Sequence, residues 1–445
     1  MRRPAPAPHA DKVAALVAQV KALRGQTVHL DKGGVHHFVP LPGDTRFDGR
    51  KLDVSAFREV VSVDPAARIA TVEPGVTFAE LVRHTLPHGL VPGVVPELTG
   101  ITVGGAVAGC SVESMSYRLG GFHDTCLEYE VVTGAGDVVR LTPDGDPLAF
   151  GMIHGSYGTL GVLTRVACRL YPAKPYVALT YVTVASIEAF EAEMRERAAR
   201  GDHDFIDGIV HGPGRFVVCL GRFVDAAPYV SSYRRVHIYY KSTATRAEDY
   251  LTTTDYFFRY DTECHWLSRT VPPLEWKIVR WALGGIFLGS DNLIRWSGRL
   301  APLLGLKRRP DVVVDLFVPG RRFADFCRWY EASVDYFPLW VVPYRVPAPY
   351  PWLSPHQVER MGDDLFFDCA IYGKPNGEPE RDWSEILEAK TFELGGIKTL
   401  ISRNHYSPER FWDIYHRGNY EAIKARFDPG GLWKDVYGKL VSGRR

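Results

Sequence analysis

The sequence predicts an α+β protein made of two domains and a returning C-terminal segment. Three observations lead there. The chain has 445 residues, about three times a common domain length. Residues 11–174 alternate short apolar strands, turn signals and helical stretches. After Pro175 the composition changes: residues 176–395 hold most of the tryptophans and long aromatic and basic runs, and residues 396–445 return to strand and then helix. The boundaries read from this are a flexible N-terminus over 1–10, a first domain over 11–175, a second over 176–395 and the C-terminal segment over 396–445.

The elements follow in order. Val13, Leu16, Val17, Val20 and Leu23 recur at helical spacing. A short strand runs over Thr27–Leu30. Val60–Val63 and Ile69–Val72 flank Asp64-Pro65-Ala66-Ala67, a hairpin signal. Thr77-Phe78-Ala79-Glu80 is a capping box, and Phe78, Leu81, Val82 and Leu86 share a face of the helix it opens. Glu130–Thr133 and Val138–Leu141 flank a second turn, Gly134-Ala135-Gly136-Asp137. Val162–Leu170 is a strand closed by Pro172 and Pro175. Beyond it, Val177–Val184 reads as a strand and Ile187–Ala199 as a helix. His211–Phe223 reads as strand–turn–strand, and Phe411, Trp412 and Tyr415 share one helix face.

Composition excludes several classes. Lys+Arg is 53 and Asp+Glu 52, a net charge of +1, which gives no field for a polyanion, so nucleic acid is not an expected partner. The seven cysteines are scattered without a C-x-x-C pair, the pattern of free thiols in a reducing compartment. No Cys/His cluster has metal-ligand spacing, so no metal is expected. Residues 1–10 lack the apolar core of a signal peptide and no stretch of 18 apolar residues occurs. The expected location is cytoplasmic.

Three glycine-bearing loops could carry chemistry. Gly33-Gly34 follows the first strand and can approach an anion closely, or be a surface turn. Thr102-Val103-Gly104-Gly105 opens a helix whose free N–H groups suit a pyrophosphate; close helix–strand packing through small residues is the other reading. Ser156-Tyr157-Gly158-Thr159-Leu160-Gly161-Val162 is a polar loop entering a strand, or a plain connection. There is neither a Rossmann fingerprint nor a Walker A sequence.

Taken together in this order, with His88-Gly89-Leu90 ahead of Pro92-Gly93 and with Tyr117–Gly120, the parts resemble the FAD-binding domain of the vanillyl-alcohol-oxidase (PCMH-type) superfamily. The fold this implies is a PCMH-type domain of two α/β subdomains, an α/β cap domain and a C-terminal segment packing back near the flavin. It also implies cofactor-binding residues. Gly33, Gly34, Val35, His36 and His37 with Thr102, Val103, Gly104 and Gly105 would hold the pyrophosphate. Gly109, Cys110, Val112, Glu113, Ser114, Ser116 and Tyr117, with Gly158, Gly161 and Val162, would lie along the ribityl chain and adenosine. Pro96 and Glu97 join this set. His36 and His37 stand where some members attach FAD covalently. Val95–Leu98, Val112-Glu113-Ser114, Pro172–Val177, Tyr256–Trp266, Pro338-Leu339-Trp340, Ala370–Gly373 and Glu409–Trp412 resemble the Δ24-sterol reductase branch, in which the flavin is noncovalent. That branch reduces an isolated C=C bond with FAD and NADPH, and includes bacterial enzymes that turn a methylene-branched fatty acyl chain into a methyl-branched one (the tuberculostearate type). The chain departs from it in lacking the N-terminal anchor of the eukaryotic enzymes, and its Ala/Arg/Gly/Val-rich composition favours the fatty acyl substrate. A lipid methyltransferase or a separate electron donor are the partners this implies, with NADPH or NADH as reductant.

An isolated alkene is not polarised, so its reduction needs a proton donor as well as a hydride, in a dry pocket. Candidate catalytic residues are Tyr256, Arg259, Tyr260 and His265, and Tyr406 in the C-terminal segment. Tyr260 stands where the sterol-reductase pattern usually has His. The alternative for 256–266 is a helix with a packed aromatic face and a solvated charged face. Residues 271–309 mix Trp276, Trp281 and Trp296 with Lys277, Arg280 and Arg299 and end on Lys307-Arg308-Arg309, as suits a segment lying in an anionic headgroup layer at the inner face of the plasma membrane, or a buried helix pair. A flavin oxidase or dehydrogenase of a sugar or alcohol, and a noncatalytic lipid-binding protein retaining the fold, are the competing functions.

Overall fold

The computed structural model describes residues 7–34, 38–39, 41, 43–270, 272–290, 292 and 310–441. The first domain begins with the helix His9–Ala22, whose Leu16 and Val20 are buried against a parallel strand pair, Val28–Asp31 and Arg50–Asp53. Its main sheet is antiparallel, in the order Val60–Asp64, Ile69–Val72, Val162–Pro172, Cys126–Val132, Val138–Leu141. Asp64 makes the first hairpin by accepting the N–H groups of Ala66 and Ala67 at 3.0 and 2.9 Å. The capping box forms as the sequence requires: Thr77 Oγ1 accepts from Glu80 N at 3.2 Å and Glu80 Oε2 from Thr77 N at 3.1 Å.

The second domain is built on an eight-stranded antiparallel sheet. Its order is Glu248–Thr252, Tyr176–Val184, Arg215–Val224, Phe205–Gly212, Leu339–Arg345, Leu365–Lys374, Val312–Pro319, Ile397–Lys398. Strand alternation divides its residues between two cores. Ile206, Val341, Leu316, Phe367 and Ile371 pack under the helices Ile187–Arg200, Phe323–Ser333 and Trp383–Glu393. The opposite face sends Phe205, Trp340, Ala370 and Tyr372 into one continuous core with Val94, Val103 and Phe122 of the first domain. The two domains thus share a buried interface, and the inward-facing side chains of the cap sheet form its roof.

Two local differences from the sequence reading matter. The expected strand at His211 begins earlier, at Phe205; Asp207 interrupts its apolar pattern because it faces a polar cluster. The helix that is the alternative reading for 256–266 is only Thr253–Phe257. Residues 259–266 then run through turns, with Cys264 and His265 at φ 44° and 64°, and Arg259 and Glu263 are buried rather than solvated. Side-chain bonds across the domain interface replace the helical ladder there.

The helices Pro408–Ile414, Arg417–Phe427 and Val436–Leu440 pack back on the first domain. Tyr420 Oη donates to Thr159 Oγ1 at 2.9 Å, and Lys424 and Lys439 donate to the carbonyls of Thr159 and Tyr157 at 2.8 and 2.7 Å.

Candidate functional site

A cleft opens where the first domain, the cap sheet and the C-terminal helices meet, and holds about 930 Å³ of empty space. Gly109, Cys110, Val112, His154, Gly155 and Tyr157 form its floor. Phe317, Tyr344, Phe366, Lys398 and Thr399 come from the cap sheet, and Trp352, Trp412 and Tyr415 from the C-terminal side. Cys110 takes a left-handed backbone, φ 56°, at the end of helix Val103–Gly109. A Cβ on Gly109 would meet nothing closer than 4.0 Å, so a ligand can approach the backbone there. Among the described residues, His154 Nδ1 and Trp352 Nε1 are buried in the cleft walls without a partner. Flat aromatic walls, a small-residue floor and open hydrogen-bonding atoms suit a large planar cofactor.

The expected phosphate loops are less uniform. Thr102 caps its helix, but the first-turn N–H groups are already used: Val103 N donates to Val76 O at 2.9 Å, Gly104 N to Pro74 O at 2.8 Å and Gly105 N to Thr102 Oγ1 at 3.3 Å. They are not the free donors the sequence suggested. A Cβ on Gly104 would fall 2.5 Å from Pro74 Cβ, so this glycine serves close packing, whereas Gly105 is exposed. Gly158 and Gly161 likewise pack against Leu30 and Val131, and Val162 lies in the core beside the N-terminal helix. Gly33 and Gly34 lie at the surface, with Gly33 N donating to Asp31 Oδ1 at 3.0 Å. Val35, His36 and His37 lie outside the described residues, as do Lys307, Arg308 and Arg309.

Beside the cleft, the sheet roof and the first domain enclose a cluster of charges. Arg259 is fully buried between two carboxylates, Nη2 lying 3.0 Å from Glu113 Oε1 and 3.2 Å from Asp207 Oδ2. Trp340 Nε1 also donates to Asp207 Oδ2, at 2.7 Å. Tyr256 Oη lies 3.1 Å from Ser114 Oγ, and the Arg259 guanidinium stacks over the Tyr256 and Tyr260 rings. The two buried carboxylates share one guanidinium. Burial and the Asp207 charge outweigh Arg259, and the Glu113 carboxyl is pushed up to about 7.

Next to this cluster, His265 Nε2 lies 2.8 Å from Glu97 Oε1, and its ring packs between those of Tyr260 and Tyr372, with centroids at 5.0 and 4.2 Å. Tyr372 Oη donates to Asp315, and Thr399 Oγ1 donates to Asp315 Oδ2 at 3.3 Å. Asp368 is buried with Oδ1 unpartnered. Asp315 and Asp368 are raised, first by burial; the Glu97 charge adds to both and the Asp315 charge to Asp368. Glu97 goes the other way: burial opposes its charge, but the His265 hydrogen bond and charge prevail and hold it below the ordinary carboxylate range. The cluster therefore sets carboxyls raised by burial beside a Glu97 that His265 holds low. It borders the cleft, since Phe317 and Phe366, two residues from Asp315 and Asp368 on the same strand faces, and Thr399 all line it.

Of the sequence candidates, Tyr256, Arg259, Tyr260, His265, Glu97, Glu113 and Ser114 are brought together, and Gly109, Cys110 and Val112 line the cleft. Tyr406 is not with them. It is buried against Phe411, and its carbonyl accepts from Tyr437 Oη at 3.3 Å. Tyr117 is also displaced from its expected role: its ring sits in the cap's helix-side core and its hydroxyl donates to His203 O, which ties the domains together. Ser116 Oγ accepts from Glu113 N at 2.9 Å, a turn contact, and Pro96 is buried next to Glu97 in the chain. Asp207, Asp315 and Asp368 were missed. Each is the lone charge in an apolar strand, Phe205–Val210, Val312–Val318 and Leu365–Ile371, and that was the available signal.

Comparison with known proteins agrees with this geometry. Residues 7–142 match the family model for the FAD binding domain. The chain is 26% identical over 403 residues to human Δ24-sterol reductase, covering 87% of this chain and 77% of that one. It is 25% identical over 444 residues to the pea Δ24-sterol reductase, with 89% and 77% covered. Cytokinin dehydrogenase 6 of rice is 29% identical over 423 residues, with 88% and 77% covered.

Proposed function

We propose that this FAD-binding protein is a reductase that saturates an isolated C=C bond in a lipid, drawing electrons from NADPH or NADH. The lipid is a sterol side chain or a methylene-branched fatty acyl chain; the similarity to Δ24-sterol reductases supports the first and the composition of the chain the second. The observation that carries the reading is a set of buried carboxyls whose hold on a proton is raised, Asp368, Asp315 and Glu113, next to an apolar aromatic cleft. Gly109, Cys110, Val112 and Tyr157 line the cleft and would hold FAD, which would supply the hydride in this chemistry. An unpolarised alkene takes no hydride unless a proton reaches the other carbon. Asp368 holds that proton at Oδ2 or at the unpartnered Oδ1. Glu97, held low by its hydrogen bond to His265, raises the neighbouring Asp315 and Asp368 through its charge. Tyr260, Tyr372, Trp340 and Phe366 exclude water and face any cationic character at the more substituted carbon.

The likeness to cytokinin dehydrogenase and the ionised Glu97 favour one other reading, in which Glu97 accepts a proton during oxidation of an alcohol or amine. The test is turnover with NADPH and either a Δ24-sterol or a methylene-branched phospholipid, followed by mass spectrometry. A product that has gained H₂ supports the reductase. Consumption of an alcohol or amine, with neither lipid altered, supports the oxidase.

A further inference from the structure

The helix Lys277–Phe287 carries a surface that the reductase site does not explain. Trp276, Ile278 and Trp281 are 63, 81 and 72% exposed, the most exposed large apolar side chains among the described residues. Isolated exposed leucines or valines need no explanation, but two indoles and an isoleucine within six positions do. Positive charge accompanies them. Lys277 is exposed between Trp276 and Ile278, and Arg235 is exposed on the stretch whose Val236 carbonyl accepts from Arg280 Nε at 3.2 Å. Indole rings mixed with cationic groups fit the headgroup layer of an anionic bilayer, where the ring is half-buried and the charge stays wet.

The inner side of this helix is fastened to the site. Arg280 is buried and pairs with Glu263, donating from Nη1 to Oε2 at 2.7 Å. Glu263 is two residues from His265. Just past the helix, Ser290 Oγ donates to Asp261 Oδ1 at 2.6 Å, and Asp261 Oδ1 in turn accepts from Thr99 N at 2.9 Å, in the loop that carries Glu97. The exposed face and the Glu97–His265 pair are thus opposite ends of one hydrogen-bonded unit.

We propose that this helix is a docking element for an anionic lipid bilayer, with Trp276, Ile278 and Trp281 entering the headgroup layer and Lys277 and Arg235 meeting lipid phosphates. The surface would bring the protein to the phase that holds the lipid substrate of the reading above, on which its purpose rests, but docking is measured without turnover. The test is sedimentation of the FAD-loaded protein with equimolar phosphatidylcholine–phosphatidylglycerol vesicles, together with tryptophan emission. Wild type should sediment, and its emission should shift to the blue. The triple variant Trp276→Ala/Ile278→Ala/Trp281→Ala should bind at least about tenfold more weakly, and Lys277→Gln and Arg235→Gln about fivefold each. All three variants alter exposed side chains outside the site, so retained FAD absorbance shows that they are folded. Equal sedimentation of wild type and triple variant overturns the proposal. So does wild type remaining in the supernatant, or a lipid-free dimer that the triple variant abolishes. Docking without alkene reduction would leave this surface standing and remove the reductase reading instead.

Discussion

Replacing Asp368 by Asn removes a carboxyl beside the cleft and keeps the size of the side chain. General acid groups contribute about 10²–10⁴-fold to rate. The Asp368→Asn variant should therefore lose at least about 10²-fold in alkene-driven reoxidation of the flavin while its reduction by NADPH is unchanged; stopped-flow absorbance separates the two half-reactions. Unchanged reoxidation would move the proton to another group. Glu113 supports a second prediction. Its carboxyl is held neutral up to about 7, above its unfolded value of 4.5. The folded state then binds the proton more tightly than the unfolded state. Its contribution to stability is complete below pH 4.5 and is lost as the pH rises towards 7. Glu113→Gln lacks this dependence, so the stability advantage of wild type over the variant should shrink between pH 5 and about 7 in urea titrations. A gap that widens with pH would contradict the neutral assignment. These residues were half legible. Arg259, His265, Glu97 and Glu113 drew notice through motifs, but the three strand aspartates did not, because a single acid in an apolar strand shows its partner only once the sheet face is assembled.

At the scale of an element, the helix Val103–Gly109 distinguishes packing from cofactor contact. Gly104 faces Pro74 with no room for a methyl group, while the Cβ direction of Gly105 meets only Thr102 Oγ1, at 3.1 Å. Gly104→Ala should cost about 1–3 kcal/mol through overpacking and lower the melting temperature. Gly105→Ala should change the melting temperature less; a loss of bound FAD from that variant alone would place the cofactor against the exposed face of the helix. Loss of FAD from both in proportion to stability would show that the motif only packs. The elements of the first domain were readable because their signals are local: Asp64 in its turn, Thr77 with Glu80 in the capping box, and alternation in Val162–Pro172. The stretch over 256–266 was not. Its aromatic and charged residues fit helical spacing, yet Arg259 bonds to Asp207 and His265 to Glu97, partners 52 and 168 residues away. Such partners override local propensity and are invisible to a pattern of a dozen residues.

At the scale of the molecule, function depends on the cap sheet lying face-down on the FAD-binding domain. Composition and motif order say nothing of which sheet face is the roof. That face is set by pleat and register, which place Phe205, Asp207, Trp340, Asp368 and Tyr372 on the inner side together. No helix among the described residues is long and apolar enough to cross a membrane. The central claim is that electrons pass through flavin to a lipid alkene, and anaerobic flavin absorbance tests it most directly. NADPH is added to the FAD-loaded protein, then a Δ24-sterol or a methylene-branched phospholipid. The account predicts bleaching by NADPH and recovery of the oxidised spectrum with one of the two lipids. Bleaching by an alcohol or amine, with no recovery on either lipid, would contradict it.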